Sequence, residues 1–168
     1  PLAFRKQLDA TRFLAAKCTM IPYEVVVRRE AHGSFVKRHP YIKKGQVFPK
    51  LILEFFLKTK DRVWQKHSIP KDDPLIVFKE DAALLFRPDL PIFAQEPFLT
   101  HSDIPLLDSP DVLAQIGRIA KETFLILEKA WQIQGCTLAD FKVEFGLTQN
   151  GELLLADVID NDSWRIYR

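Results

Sequence analysis

Cysteine is scarce in these 168 residues. Cys18 and Cys136 are the only two, too few for a disulfide framework, so a reducing, cytoplasmic setting is the simpler reading. Long apolar runs are also missing. No stretch approaches the roughly 18–20 residues that a membrane-crossing helix needs, and no basic segment followed by an apolar one opens the chain. Neither a membrane span nor an export signal is expected. An excess of one charge sign is missing too: 24 basic against 22 acidic residues leave a net charge of +2, which gives no global case for nucleic acid or a membrane surface. Any anion site must come from a local cluster. Repeats and low-complexity segments are absent. What the chain does have is core material, being 47% hydrophobic with 13 Phe and 3 Trp, enough for one folded domain or a large part of a bigger one. It begins at Pro1 rather than Met and stops abruptly after Trp164-Arg165-Ile166-Tyr167-Arg168, so a piece of a longer chain, cut at both ends, is expected.

Residues Met20 to Val27 are apolar and β-branched around Pro22 and Glu24, which predicts a strand with Pro near its start. The strand runs into a polar segment, Arg28-Arg29-Glu30-Ala31-His32-Gly33-Ser34, where Gly33 permits a tight turn. Leu51 to Leu57 is a second strand-like run. The stretch from Lys58 to Pro110 is rich in Pro, Asp and charge; one short helix is expected near Phe78–Phe86, and the rest is read as functional loop. Ser109-Pro110-Asp111 marks a helix start, with a capping hydroxyl, Pro at the first position and an acid in the first turn. Val112, Ile116, Ile119, Ala120, Leu127 and Trp131 then recur at helical spacing, and Gly135 is a plausible stop. That helix is read as core support without chemistry.

In Leu138–Gly146, the residues Phe141, Val143 and Phe145 alternate with Asp140, Lys142 and Glu144, a strand with one greasy and one charged face. Asn150-Gly151 follows as a hairpin signal, then a second strand through Leu153–Ile159. Taking Asn150 and Gly151 as a two-residue turn sets Glu144 opposite Asp157, with Cβ atoms roughly 4.5–5.5 Å apart. Two carboxylates so placed repel unless a cation lies between them, and magnesium commonly takes one or two protein carboxylates. A solvated acidic face, with Lys142 as local compensation, fits the same pattern, and a one-residue slip of register would separate the pair. Arg28, Arg29, Gly33 and Ser34 offer forked donors, close backbone approach and a hydroxyl, a set suited to phosphate or carboxylate. Alone, that cluster also fits ordinary surface solvation.

Together these segments resemble the SAICAR synthetase (phosphoribosylaminoimidazole-succinocarboxamide synthase) family. One signature stands as Ile21-Pro22-Tyr23-Glu24-Val25-Val26-Val27-Arg28 ending in Gly33-Ser34. The second stands as Asp140-Phe141-Lys142-Val143-Glu144-Phe145-Gly146. The run from Asp157 to Arg165 is similar to the ending of animal-type members. The resemblance implies an α+β fold: an antiparallel sheet with packed helices, the larger lobe of a two-lobed, kinase-like ATP cleft. Residues 1–168 would then form a single substrate- and magnesium-binding domain, with most of the amino-terminal ATP lobe absent.

The resemblance further implies an amide-forming ligase of purine biosynthesis with ATP and Mg2+ as cofactors. Its small-molecule substrates would be carboxyaminoimidazole ribotide (CAIR), aspartate and ATP. Carried over by position, Glu144 and Asp157 would bind the metal, while Lys142 and Asp140 would meet the reacting carboxylate or phosphoryl group. Arg28, Gly33, Ser34 and Arg165 would hold ribotide phosphate or carboxylate. Glu24 would help place the imidazole ring, and the adenine contact would lie at Met20 and Ile21. Lys71-Asp72-Asp73-Pro74 resembles a loop near the substrate. No nucleic acid or membrane partner is implied; a homo-oligomer or fusion to another purine-pathway enzyme is compatible. His32 departs from the small residue usual before Gly-Ser. The competing readings are a non-catalytic nucleotide-binding module, or a fragment inactive without the missing lobe, and a phosphotransferase on a similar scaffold, which the absence of kinase motifs disfavours.

Overall fold

In a computed structural model, the protein is described at residues 2–59, 63–64, 67–68, 72–80, 82–102, 104–106 and 109–168. Its strands are β1 (Leu2–Gln7), β2 (Phe13–Lys17), β3 (Thr19–Glu30), β4 (Val47–Leu57), β5 (Val63–Trp64), β6 (His67–Ser68), β7 (Leu75–Phe78), β8 (Ala83–Phe86), β9 (Leu99–His101), β10 (Thr137–Leu147), β11 (Leu153–Ala156) and β12 (Trp164–Tyr167). Its helices are α1 (Ser34–Arg38) and α2 (Pro110–Ile133). The main sheet has eight strands in the order β11-β10-β3-β4-β7-β8-β9, with β12 pairing β10 beyond the end of β11. All its pairings are antiparallel, so the expected α+β class is what the chain adopts.

Period-two alternation decides the two faces of this sheet. Tyr23, Val25 and Val27 of β3 share a buried cluster with Phe141, Val143 and Phe145 of β10, and α2 covers them through Ile116, Ala120 and Phe124. Phe124 meets Phe141 edge-on at 5.4 Å between ring centroids. Gly117 brings the helix close to β4, since a Cβ there would stand 2.8 Å from Leu53 Cδ2. The opposite face carries the intervening residues: Glu24, Val26 and Arg28 of β3, Glu54 and Phe56 of β4, and Asp140, Lys142 and Glu144 of β10. α2 begins after Ser109 with Pro110 and Asp111 in its first turn, as expected, though without the side-chain capping bond expected at Ser109, and Gln134 follows its last residue.

Three expectations fail. Phe78–Phe86 is not helical: Leu75–Phe78 and Ala83–Phe86 are paired strands, joined by a turn in which Lys79 N–H donates to Ala82 O at 2.8 Å. Four-residue apolar runs carry too little period to separate strand from helix. Nor does the strand expected over Met20 to Val27 end there, because β3 continues to Glu30. Arg28 and Glu30 are only 3% and 4% exposed; Arg28 is met by buried Glu54 and Asp140, and Glu30 by His32 and Tyr167. Val63–Trp64 and His67–Ser68 do pair as a small ribbon, where an irregular loop was expected.

Candidate active site

The β10–β11 hairpin departs from the two-residue turn. Leu147 pairs with Leu153, Thr148 N–H donates to Glu152 O at 3.0 Å, and Gly151 takes φ +79°. This is a three-residue connection with glycine in the left-handed position. The register therefore moves by one, and Glu144 faces Ala156 rather than Asp157. Asp157 is the first residue past the strand and leaves it at φ +69°, an uncommon conformation for a residue other than glycine. It nevertheless lines the same cavity as Glu144.

Two adjoining cavities open on the charged sheet face. The larger, about 520 Å³, is lined at one end by Arg28, Gly33, Ser34, Lys37 and Arg165, with Val26 and Phe56 as an apolar patch and Asp72 and Asp73 also present. The smaller, about 230 Å³, is acidic: Glu24, Glu144, Asp157, Asp160 and Asp162 line it, with Lys142 the one basic residue among the described residues. Glu24, Lys142, Asp162 and Ser163 belong to both. The result is one cleft with a basic end and an acidic end.

At the basic end, register does the positioning. Asp140 pairs with Arg28 on one side and with Arg165 of β12 on the other. Its carboxylate accepts from Arg28 Nη1 at 2.5 Å and lies 3.3 Å from Arg165 Nε. Arg28 Nε donates to Glu54 Oε2 at 2.7 Å. Gly33, at φ +56°, lies directly beneath the Arg165 guanidinium: a Cβ there would stand 2.6 Å from Nη2 and 2.7 Å from Nη1. Gly33→Ala should therefore displace Arg165 and force a backbone conformation costing about 1–3 kcal/mol. A lower melting temperature together with weaker binding of a phosphorylated ligand is expected; a variant unchanged in both contradicts this placement. His32 turns away from the cleft, its Nε2 3.0 Å from Glu30 Oε2, with Tyr167 OH donating to the same carboxylate at 2.7 and 2.8 Å. The bond to Glu30 holds the Tyr167 hydroxyl pKa above its ordinary value.

At the acidic end, amines already stand among the carboxylates. Lys142 Nζ donates to Glu24 Oε2 at 3.2 Å, and Lys58 Nζ donates to Glu144. Burial pulls the Lys58 pKa down, but the Glu144 hydrogen bond and the charges of Glu144, Glu24 and Asp157 outweigh it and hold it raised. The loop after Asp157 is fixed from within: Asp162 N–H donates to Asp160 Oδ1 at 2.9 Å, and Lys142 N–H reaches Ser163 O at 2.7 Å. That loop fills the gap on β10 between β11 and β12, over Lys142.

The structure thus gathers Glu24, Arg28, Gly33, Ser34, Asp140, Lys142, Glu144, Asp157 and Arg165 along one cleft. It does not bring Met20 and Ile21 there: Ile21 is 5% exposed in the core, and Met20 packs beside Cys18 and Ala156. Of the Lys71–Pro74 loop, Asp72 and Asp73 reach the larger cavity; Lys71 lies outside the described residues. Sequence reasoning missed Lys37, Glu54 and Lys58. Glu54 had a signal, a lone acid at every-other spacing between Ile52 and Phe56 in an apolar strand.

Fold and cleft together define an α+β protein whose charged sheet face presents a mixed-charge pocket with arginines clustered at one end beside an acidic pocket. The chain belongs to the SAICAR synthetase family, whose model matches residues 1–83 and 93–168. It is 42% identical over 164 residues to the bifunctional purine synthesis protein purC/E of Dictyostelium discoideum, covering 98% of this chain and 14% of that one. It is 38% identical over 159 residues to the phosphoribosylaminoimidazole-succinocarboxamide synthase of Roseiflexus castenholzii, covering 95% of this chain and 52% of that one. A solved SAICAR synthetase (type 2) in complex with ADP superimposes with a TM-score of 0.71 at 28% identity, over 98% of this chain and 57% of that one. The chain spans about half, or less, of the length of these relatives. Among the described residues no helix is long and apolar enough to cross a membrane.

Proposed function

We propose that this chain is the substrate- and magnesium-handling lobe of an ATP-dependent ligase of purine biosynthesis. The reaction joins L-aspartate to the carboxylate of CAIR and gives the succinocarboxamide ribotide (SAICAR), ADP and phosphate. The observation that carries this reading is the two-ended cleft, in which a fork of arginines and a set of carboxylates meet across Glu24 and Lys142. Such a reaction brings together a ribotide phosphate, a carboxylate and a polyphosphate, and it needs positioning and charge neutralisation more than a strong base.

At the basic end, Arg165, Ser34 and the cleft-facing side of Arg28 hold the ribotide phosphate. Both Asp140 oxygens are engaged by arginines, which makes Asp140 the group that orients them. Glu24 meets the imidazole ring. Lys142, common to both pockets, places its ammonium where the CAIR carboxylate would approach the phosphoryl group. ATP with magnesium would supply the phosphoryl group that activates this carboxylate as an acyl phosphate; the aspartate amine would then attack the acyl carbon, forming the amide C–N bond and expelling phosphate.

Glu144 and Asp157 fit magnesium as an oxygen donor set that leaves the remaining positions to phosphate and water. Among the described residues no three His, Cys, Asp or Glu side chains form a ready-made metal cage, so the metal would arrive with ligands of its own. Lys58 would then give up its hold on Glu144. A separate ATP lobe, a cytoplasmic setting and fusion to a second enzyme, as the name of the Dictyostelium relative has it, belong to this same reading.

Arg165→Ala tests the basic end. Loss of hydrogen bonds to a charged ligand costs about 1.5–3 kcal/mol, so SAICAR affinity should fall on the order of ten- to a hundredfold, measured by calorimetry. Unchanged affinity removes Arg165 from the site.

A further inference from the structure

Behind the basic end lies a second layer of charge that touches neither cavity. Glu54, 8% exposed, bridges two arginines: its Oε2 accepts from Arg28 Nε at 2.7 Å and its Oε1 accepts from Arg38 Nη2. Arg38 is 0% exposed, with its guanidinium carbon 5.9 Å from the Phe35 ring centre and 5.3 Å from that of Phe56. Its Nε and Nη1 are buried and make no hydrogen bond among the described residues. Neither Glu54 nor Arg38 lines the cleft.

A fully buried arginine with two unmet donors is hard to explain by stability. Taking a guanidinium out of water costs free energy, and a buried ion pair often stabilises no better than apolar side chains of similar size. Burial correspondingly holds the Arg38 pKa below its ordinary value, against the attraction of Glu54. The charge count of the ion-paired cluster that these two residues form with cleft-lining Arg28, Asp140 and Arg165 suggests what the arginine does. Arg38, Arg28 and Arg165 carry three positive charges, while Glu54 and Asp140 carry two negative ones. One positive charge is left over, and the arginines that face the cleft are where an anion can meet it.

We infer that Arg38 and Glu54 are positioning residues for anion binding: Glu54 aims the Arg28 guanidinium at the cleft, and Arg38 cancels the Glu54 charge that would otherwise weaken the ligand's hold. This rests on the reading of the basic end as the ribotide phosphate site. Without Arg38, the cluster is neutral before the ligand arrives. Arg28 would still be pinned by Glu54 and Asp140, so its aim would be kept, at the stability cost of leaving Glu54 with one buried partner.

The test is calorimetric titration of SAICAR into the unaltered chain and into Arg38→Met, Arg38→Lys and Arg165→Ala, with a thermal melt of each. Arg38→Met should stay folded, with a melting transition lowered by the loss of one Glu54 partner, and bind on the order of tenfold more weakly, the effect of removing one unit charge from a dry cluster. Arg38→Lys, which restores the charge, should recover most of that affinity. Equal affinity in Arg38→Met and the unaltered chain overturns the inference. So does weak binding that merely follows a collapsed melting transition and is not rescued by lysine, since Arg38 would then be only structural. Arg165→Ala separates the two levels. If it binds weakly while Arg38→Met binds normally, the positioning role falls alone; if it too binds normally, the phosphate reading falls and takes the inference with it.

Discussion

Arg28→Ala is expected to abolish SAICAR binding and to lower the unfolding free energy by about 3–5 kcal/mol, the cost of removing one partner from a buried ion pair. Arg28 lies mid-strand, 3% exposed, between Glu54 and Asp140, which are 8% and 4% exposed. Its removal would leave both carboxylates in a dry site, Glu54 with Arg38 alone and Asp140 with Arg165 alone. This is why the variant should cost more than Arg38→Met, which takes one partner from Glu54 only and leaves Asp140 with both of its arginines. Urea unfolding at neutral pH gives the stability, and calorimetry the affinity. A loss of less than about 1 kcal/mol would mean that the pairs are not buried as described, because surface pairs are worth no more than that.

Glu144→Gln should remove the magnesium dependence of nucleotide binding while leaving the fold intact. The substitution preserves shape and takes away one negative charge at the acidic end. Loss of a group that only supports a metal ligand already costs about 10- to 100-fold in metal affinity, so loss of a ligand should cost at least as much. Stability should change little, since the Lys58–Glu144 pair that is lost has a lysine side chain 43% exposed. Titration of ADP with and without magnesium, in both proteins, reads this directly. A Glu144→Gln chain that keeps a full magnesium effect takes Glu144 out of the metal site.

The parts of the fold that were legible in the sequence are those with a long regular period. β10 was readable from the alternation of Phe141, Val143 and Phe145 with Asp140, Lys142 and Glu144. α2 was readable from its Ser109-Pro110-Asp111 start and apolar stripe. What misled were short or compensated features. The four-residue strands β7 and β8 have no room for a period to show. Arg28 and Glu30 look like the start of a loop until Glu54, Asp140 and Tyr167 are seen to meet them across the sheet. The hairpin count took Asn150-Gly151 as the whole turn, whereas the Thr148 and Glu152 backbone bond makes a three-residue loop. Glu144 and Asp157 share a cavity all the same, through the left-handed backbone at Asp157 rather than through facing strand positions. Arg38 and Lys58 gave no local signal, because their partners lie 16 and 86 residues away in the chain.

The most direct test of the two-ended cleft is calorimetric titration of SAICAR together with ADP into this chain, with magnesium and again with the metal chelated. The account predicts that a folded chain binds the pair and that magnesium strengthens binding. It also predicts that Arg165→Ala weakens the ribotide contribution while Glu144→Gln erases the magnesium one. A folded chain that binds neither ligand, or binds both equally with and without magnesium, would contradict it.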